Sequence, residues 1–172
     1  RVAINLSSAE FNDPKLATRI IAALDHWLVP AENFEVEVTE TVLLGRGTEN
    51  VAAILSQFHD RGVQIALDDF GTGYASLTHL KKYPVGHIKI DQSFIRDMEA
   101  DAGSDAIVAA VIGLSKNLNL QVTAEGVETR GQSRRLRELE CTNVQGYLFA
   151  KPMSGEQVPR FLGDWKTGAV GM

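Results

Sequence analysis

Apolar residues follow two alternating rhythms along the chain: short stretches place them at every second position, longer ones at every third or fourth. Six such pairs follow one another. The first rhythm predicts strands at 2–6, 34–40, 63–69, 85–91, 121–125 and 143–148. The second predicts helices at 14–28, 48–61, 75–82, 104–118, 130–140 and 155–165, the third of these only about two turns long. Leu16, Ile20, Leu24 and Leu28 form one helical stripe after Pro14; Ile107, Val111, Leu114 and Leu118 form another after Ser104. Thr129 with Gln132 and Ser154 with Gln157 fit a capping box, and Gly62 stands where a helix should stop.

Strict strand–helix alternation predicts an α/β protein with a parallel sheet, either open and doubly wound or closed into a barrel. Strands of an open parallel sheet are buried on both faces and should be apolar almost throughout. Here Phe34, Val36 and Val38 alternate with Glu35, Glu37 and Thr39; Ile88 and Ile90 alternate with His87, Lys89 and Asp91; Val122 and Ala124 alternate with Gln121, Thr123 and Glu125. An antiparallel sheet with one wet face would show the same alternation, but helical connections between successive strands disfavour it. A TIM-like (β/α) barrel explains both features, with helices outside and polar side chains gathered at the strands' carboxyl ends. At about 29 residues per unit, eight units would take about 230 residues, near the ~250 of a typical barrel. The chain therefore reads as about six of eight βα units, domain 1–165 followed by a short tail 166–172. Arg1-Val2-Ala3-Ile4-Asn5 looks like a strand already under way, so the expectation is that the N-terminal part of the barrel is missing.

A chain of 172 residues, 44% hydrophobic and 23% charged, is globular in composition, which excludes disordered and collagen-like classes. Its formal net charge of −5 argues against DNA or RNA binding through a basic surface. No apolar run approaches the ~18 residues of a membrane span, and no signal peptide opens the chain, so no membrane contact is expected from this segment. The single cysteine, Cys141, rules out an intrachain disulfide and suits a cytoplasmic location.

The polar residues collected from the strand ends are Asn5, Glu37, Glu40, Asp68, Asp69, Lys89, Asp91, Glu125, Glu128 and Gln145. So many carboxylates converging in a lumen repel one another unless protons or cations neutralise them. Oxygen ligands and an amide favour a hard divalent cation such as Mg²⁺ or Mn²⁺. Zinc is disfavoured, because His26, His59, His79 and His87 show no ligand spacing. Neighbours on a regular strand face opposite ways, so Asp68 and Asp69 reach one site only if the chain turns there; Phe70-Gly71-Thr72-Gly73-Tyr74 supplies glycines for that turn. One carboxylate bridging two ions and its neighbour binding the second suits two-metal hydrolysis, with Lys89 as a fixed positive charge nearby. Taken singly, the Asp pair could be a cap and Lys89 could pair with Asp91. Gly71-Thr72-Gly73 half-resembles a dinucleotide fingerprint, but the third glycine is absent and two aspartates before it would repel a pyrophosphate.

Asn5-Leu6-Ser7, Glu37-Val38-Thr39-Glu40, Asp68-Asp69-Phe70-Gly71-Thr72-Gly73-Tyr74, Lys89-Ile90-Asp91, Ala124-Glu125-Gly126-Val127-Glu128 and Gln145-Gly146-Tyr147, in this order, resemble the signature motifs of EAL-domain cyclic di-GMP phosphodiesterases across essentially the whole chain. The resemblance implies hydrolysis of cyclic di-GMP to linear pGpG in bacterial second-messenger signalling, with two Mg²⁺ or Mn²⁺ ions and an activated water. By the same resemblance Asn5, Glu37, Asp68, Asp69 and Glu125 would be metal ligands, with Asp68 bridging. Lys89 would contact the nucleophilic water, Glu125 would also assist deprotonation, and Asp91 and Gln145 would complete the metal and water shell. Glu40 would anchor the loop beginning at Asp68, which the family uses in dimerisation and catalysis, and Glu128 would support the site from behind. A homodimer and an upstream sensory or GGDEF domain are the partners the family implies.

The sequence departs from that pattern in places. The Glu-Ala-Leu segment that names the family, whose Glu is a ligand, is not in the chain; Gly86 and Thr142 stand where members often carry Asp. Without that segment this stretch alone is expected to be inactive. A catalytically inactive cyclic di-GMP receptor would tend to lose ligands from the metal set, and every ligand of this range is present. A different metal-dependent barrel enzyme acting on carboxylates would share the acidic lumen but not the ordered motifs.

Overall fold

The computed structural model describes residues 1–44, 48–71, 73, 80 and 82–166. They form one parallel six-stranded sheet: β1 (Val2–Asn5), β2 (Phe34–Thr39), β3 (Gln64–Phe70), β4 (His87–Ile90), β5 (Gln121–Ala124) and β6 (Asn143–Val144), adjacent in that order. A doubly wound sheet reverses its strand order partway; this one does not. Because crossovers between parallel strands are right-handed, an unreversed order puts every connecting helix on one face and leaves the other as a lumen.

The sheet is rolled. Arg1, just before β1, bonds Glu35 on β2 at 3.2 Å and reaches Gln121 on β5 at 3.5 Å. In a flat sheet β1 and β5 would lie about 19 Å apart at ~4.8 Å per strand, beyond the reach of the two side chains. A partial TIM-like barrel of six parallel strands results.

The alternation read from sequence maps onto the two faces. In register, Val36 stands beside Ile65, Val38 beside Leu67, Leu67 beside Ile88, and Ile88 beside Val122. These outer-face side chains are buried in one core with Leu55, Phe58, Ile95, Val108, Ile112 and Leu136 from the helices. Each side chain of this size contributes about 1.5–3 kcal/mol on burial, which fixes the register against a one-residue slip that would exchange the faces.

Helices occupy Leu16–His26, Thr48–Asp60, Ala102–Asn117, Arg130–Glu138 and Val158–Lys166, each within a few residues of expectation. The Thr129 and Gln132 capping box forms in full. Gly62 ends its helix at φ +85°, its N–H bonding His59 O and that of Val63 bonding Phe58 O. The helix at 102–117 starts earlier than expected, because the Asp101 carboxylate accepts from the N–H groups of Gly103 and Ser104. Of the Ser154 and Gln157 capping box only the half from Ser154 N–H to Gln157 Oε1 is present, and the helix starts at Val158 and runs on through Lys166, the first residue assigned to the tail. The rest of that tail, and the predicted helix 75–82 except for Leu80 and Lys82, lie outside the described residues.

Two features correct the sequence reading. Short helices at Glu40–Leu44 and Gln92–Asp97 start directly at strand ends. The predicted strand 143–148 is only two residues long, Asn143–Val144. Beyond it Gly146 packs on the Val127 backbone so closely that a Cβ would collide with that residue's N, C and O. Val127 N–H bonds Gln145 O and Leu148 N–H bonds Val127 O, which draws the chain off the sheet.

Candidate active site

Lumen-facing positions of β2, β3, β4 and β5 stack in two layers. The lower holds Glu35, His87 and Thr123: His87 Nδ1 lies 3.1 Å from Glu35 Oε2, and Nε2 lies 2.7 Å from Thr123 Oγ1. All three residues are buried. Ala66, whose register neighbours are Glu37 and His87, has only a methyl group there and lets β2 and β4 meet over β3. Burial pushes the Glu35 carboxyl up, but its bond to His87 and the charges of His87 and Arg1 outweigh this and hold it below the usual carboxylate range. Period two places these residues two positions before Glu37, Lys89 and Glu125, so the alternation that marks the upper layer marks the lower one as well.

The upper layer is the predicted constellation. The Lys89 ammonium is 2.9 Å from Glu37 Oε2, 2.8 Å from Glu125 Oε1 and 3.1 Å from Asp68 Oδ1. Lys89 does not pair with Asp91; it is the hub of three carboxylates from three other strand ends. Burial opposes its charge, but hydrogen bonds to Glu125 and Glu37, with the negative charges of Glu125 and Asp68, hold its pKa well above that of an ordinary lysine.

Asp68 and Asp69 both reach the site because the strand turns as the sequence required. Asp69 adopts φ +53° and Gly71 φ +102°. Leu67 pairs with Ile88 but Phe70 with Ile90, so β3 carries one residue more than β4 over this stretch, a bulge. As a result, ligand atoms of Asp68, Asp69 and Glu125 lie within 4.8 Å of one another. Burial pushes the Asp69 carboxyl up, reinforced by the charges of Asp68 and Asp91. Burial also raises Glu125; Lys89 pulls it back, Asp68 and Glu37 push it further, and the net shift is upward. Among the described residues Asp68 Oδ1 is buried and accepts no hydrogen bond, for although Lys89 Nζ is 3.1 Å away the alignment is not that of one. A buried carboxylate oxygen without a hydrogen bond, among acids whose charged forms are disfavoured, fits a hard divalent cation.

The remaining predicted residues surround this cluster. Asn5 stands at the end of β1 in register with Glu37. Glu40 is buried at the start of its short helix and its Oε1 accepts the Gly71 N–H at 2.9 Å, tying down the chain just past Asp69. Asp91 caps Gln92–Asp97, its Oδ1 accepting from Ser93 N–H at 2.9 Å and from the Ser93 hydroxyl, while it also faces Asp69. Glu128 and Gln145 are exposed on the wall of a cavity of about 630 Å³ that opens from Asp69 and Glu125. Tyr147, Met153, Phe161 and Leu162 give that cavity an apolar side, and Lys151 adds a cation 5.8 Å from the Tyr147 ring centre.

Similarity to known proteins agrees with this geometry. The chain is 40% identical over 157 residues to the bifunctional diguanylate cyclase/cyclic di-GMP phosphodiesterase MucR of Pseudomonas aeruginosa, matching 91% of this chain and 23% of that protein. Its fold superposes on the structure of the PaMucR phosphodiesterase in complex with c-di-GMP with a TM-score of 0.86 at 39% identity, covering 92% of this chain and 64% of that one. It also superposes on Klebsiella pneumoniae BlrP1 in a manganese/cy-diGMP complex, with a TM-score of 0.81 at 30% identity over 88% of this chain and 39% of that one. The chain spans about a fifth of the length of such curated relatives, 20–23%. Residues 1–152 match the EAL domain, and the chain belongs to that family.

Proposed function

We propose that the protein carrying this chain hydrolyses one phosphodiester bond of cyclic di-GMP to give linear pGpG, using two Mg²⁺ or Mn²⁺ ions held at the upper layer. The observation that carries this reading is the convergence of Asp68, Asp69 and Glu125 oxygens within 4.8 Å, with Asp68 Oδ1 buried and accepting no hydrogen bond from the described residues. Asp68, Asp69 and Glu125 would hold the ions together with Glu37 and Asn5, and the Glu of the Glu-Ala-Leu segment, which lies outside this chain, would join them. Bound there, the ions would polarise phosphoryl oxygens and favour ionisation of a water at neutral pH.

The chain's own residues have distinct tasks. Lys89 brings its ammonium to the carboxylates and offers positive charge to the phosphoryl oxygens as negative charge develops on them. A carboxylate oxygen of Glu125 accepts the proton of the attacking water. Asp91 orients Asp69, while Glu40 fixes the backbone that follows it through Gly71. Gln145 and Glu128 border the cavity where the substrate enters, and Tyr147 and Phe161 offer an apolar wall to a guanine. Homodimerisation, and control by an upstream sensory or GGDEF domain, belong to the same proposal.

The test is conversion of cyclic di-GMP to pGpG by the whole protein, followed by chromatography with Mn²⁺ and with EDTA. Turnover should require the ion and be abolished by Asp68→Asn or Glu37→Gln. Unchanged turnover in EDTA, or in Asp68→Asn, would refute the assignment.

A further inference from the structure

A second cleft lies behind the wall of the first. It has a volume of about 280 Å³ and is lined by Arg130, Arg134 and Arg137 on one side and by Phe149 and Trp165 on the other. The arginines are spaced by four and three residues, so they share one face of helix Arg130–Glu138 and span about 10 Å along it. Arg135 on the same helix is neutralised by Asp105, with its Nε and Nη2 each 2.8 Å from a carboxylate oxygen. Among the described residues no carboxylate lies within ion-pair distance of Arg130, Arg134 or Arg137. A row of charges on a helix is ordinarily a solvated face. These three instead line the same cleft as an aromatic corner, in which Phe149 and Trp165 meet edge-on with ring centres 6.3 Å apart.

We propose that this cleft binds a nucleotide, with phosphates on the arginine row and base against Trp165 and Phe149. Guanidinium groups pair bidentately with phosphate oxygens and also stack on flat rings. A bare inorganic anion would leave the aromatic side idle, and an apolar ligand would leave three cations unpaired. The volume suits one mononucleotide-sized molecule. The two cavities share their partition: Tyr147 faces the first and Phe149 the second, and Phe161 and Leu162 face the first and Trp165 the second. Occupancy of the arginine cleft therefore presses on residues that border the acidic site. This inference stands apart from the proposed hydrolysis, since none of its residues belongs to the acidic cluster.

Calorimetric titration of the whole protein with ADP in EDTA tests it, because chelation keeps the acidic site from holding a nucleotide through metal. One binding event should survive Glu125→Gln, weaken at least tenfold in the double variant Arg134→Gln, Arg137→Gln, and weaken several-fold in Trp165→Ala. The arginines are exposed, so the double variant should fold; far-ultraviolet dichroism checks this. Identical ADP isotherms for wild type and the double variant would overturn the proposal. So would equal affinity for ADP and inorganic tripolyphosphate, which would show the aromatic side idle. Tighter binding of a polyglutamate peptide than of ADP would also overturn it, reassigning the cleft to an acidic protein segment.

Discussion

Replacing Lys89 with methionine keeps roughly the length of the side chain and removes its charge. Three carboxylate oxygens lie 2.8, 2.9 and 3.1 Å from the ammonium. At an effective dielectric of ~20, each contact supplies about 5–6 kcal/mol of gross attraction. Desolvation and repulsion among Glu37, Asp68 and Glu125 offset most of that total. Leaving the acids without a cation should therefore cost about 3–5 kcal/mol, the range for breaking a buried pair from one side. Native-state hydrogen exchange of the Ile88 and Ile90 amides on β4 reads this loss locally, independent of neighbouring domains. In EDTA at neutral pH these amides should exchange roughly two to nearly four orders of magnitude faster in Lys89→Met than in wild type. Mn²⁺ should then restore more protection in the variant than it adds to wild type, because the ion no longer competes with an internal ammonium. Equal exchange in EDTA, or a larger gain from Mn²⁺ in wild type, would show that Lys89 does not hold the acids together.

Gly146→Ala places a methyl group on the Val127 backbone, which cannot swing aside, and should cost about 1–3 kcal/mol, read as faster exchange at Val127 and Leu148; unaltered protection would contradict the packing. Glu40→Ala removes the acceptor of the Gly71 N–H, so cyclic di-GMP turnover should fall about 10- to 100-fold with the sheet's protection intact; full activity would mean that the tether is idle. Asp105 is held below its ordinary pKa, chiefly by its hydrogen bonds to Arg135. Its stabilisation is therefore complete above the unfolded carboxylate's pKa and lost as pH falls through the lowered folded value. Asp105→Asn should loosen helix Arg130–Glu138 slightly at pH 7 and match wild type at the acid end; a difference that grows toward low pH would reverse the sign and refute the pairing.

The barrel was legible because Phe34, Val36 and Val38 alternate with Glu35 and Glu37, and because helical stretches between successive strands set the antiparallel alternative aside. Lys89 and its three acids were legible as strand-end polar residues, and the need for a turn at Asp68-Asp69 followed from strand geometry alone. The left-handed conformation that meets that need was not legible, since Asp carries no strong preference for it. Helices Glu40–Leu44 and Gln92–Asp97 escaped because five or six residues do not complete a periodic pattern, and Glu40 and Asp91 also read as site residues. Strand 143–148 was overextended because the pull that diverts it, Gly146 against Val127, acts between segments far apart in the chain. Glu35, His87 and Thr123 were legible as polar alternates but not as a bonded layer, because polar residues at the far end of a lumen look the same in sequence as residues facing water.

Over three neighbouring ladder steps β3 outnumbers β4 by one residue, and that surplus decides which way its tip faces. With it, the two aspartates attend the same mouth while Phe70 turns back under the helices beside Ile90. Were the extra residue deleted, the phenyl ring would swing into the channel and a carboxylate into the greasy shell. The strand would be no weaker as a ribbon, yet its end would be inside out.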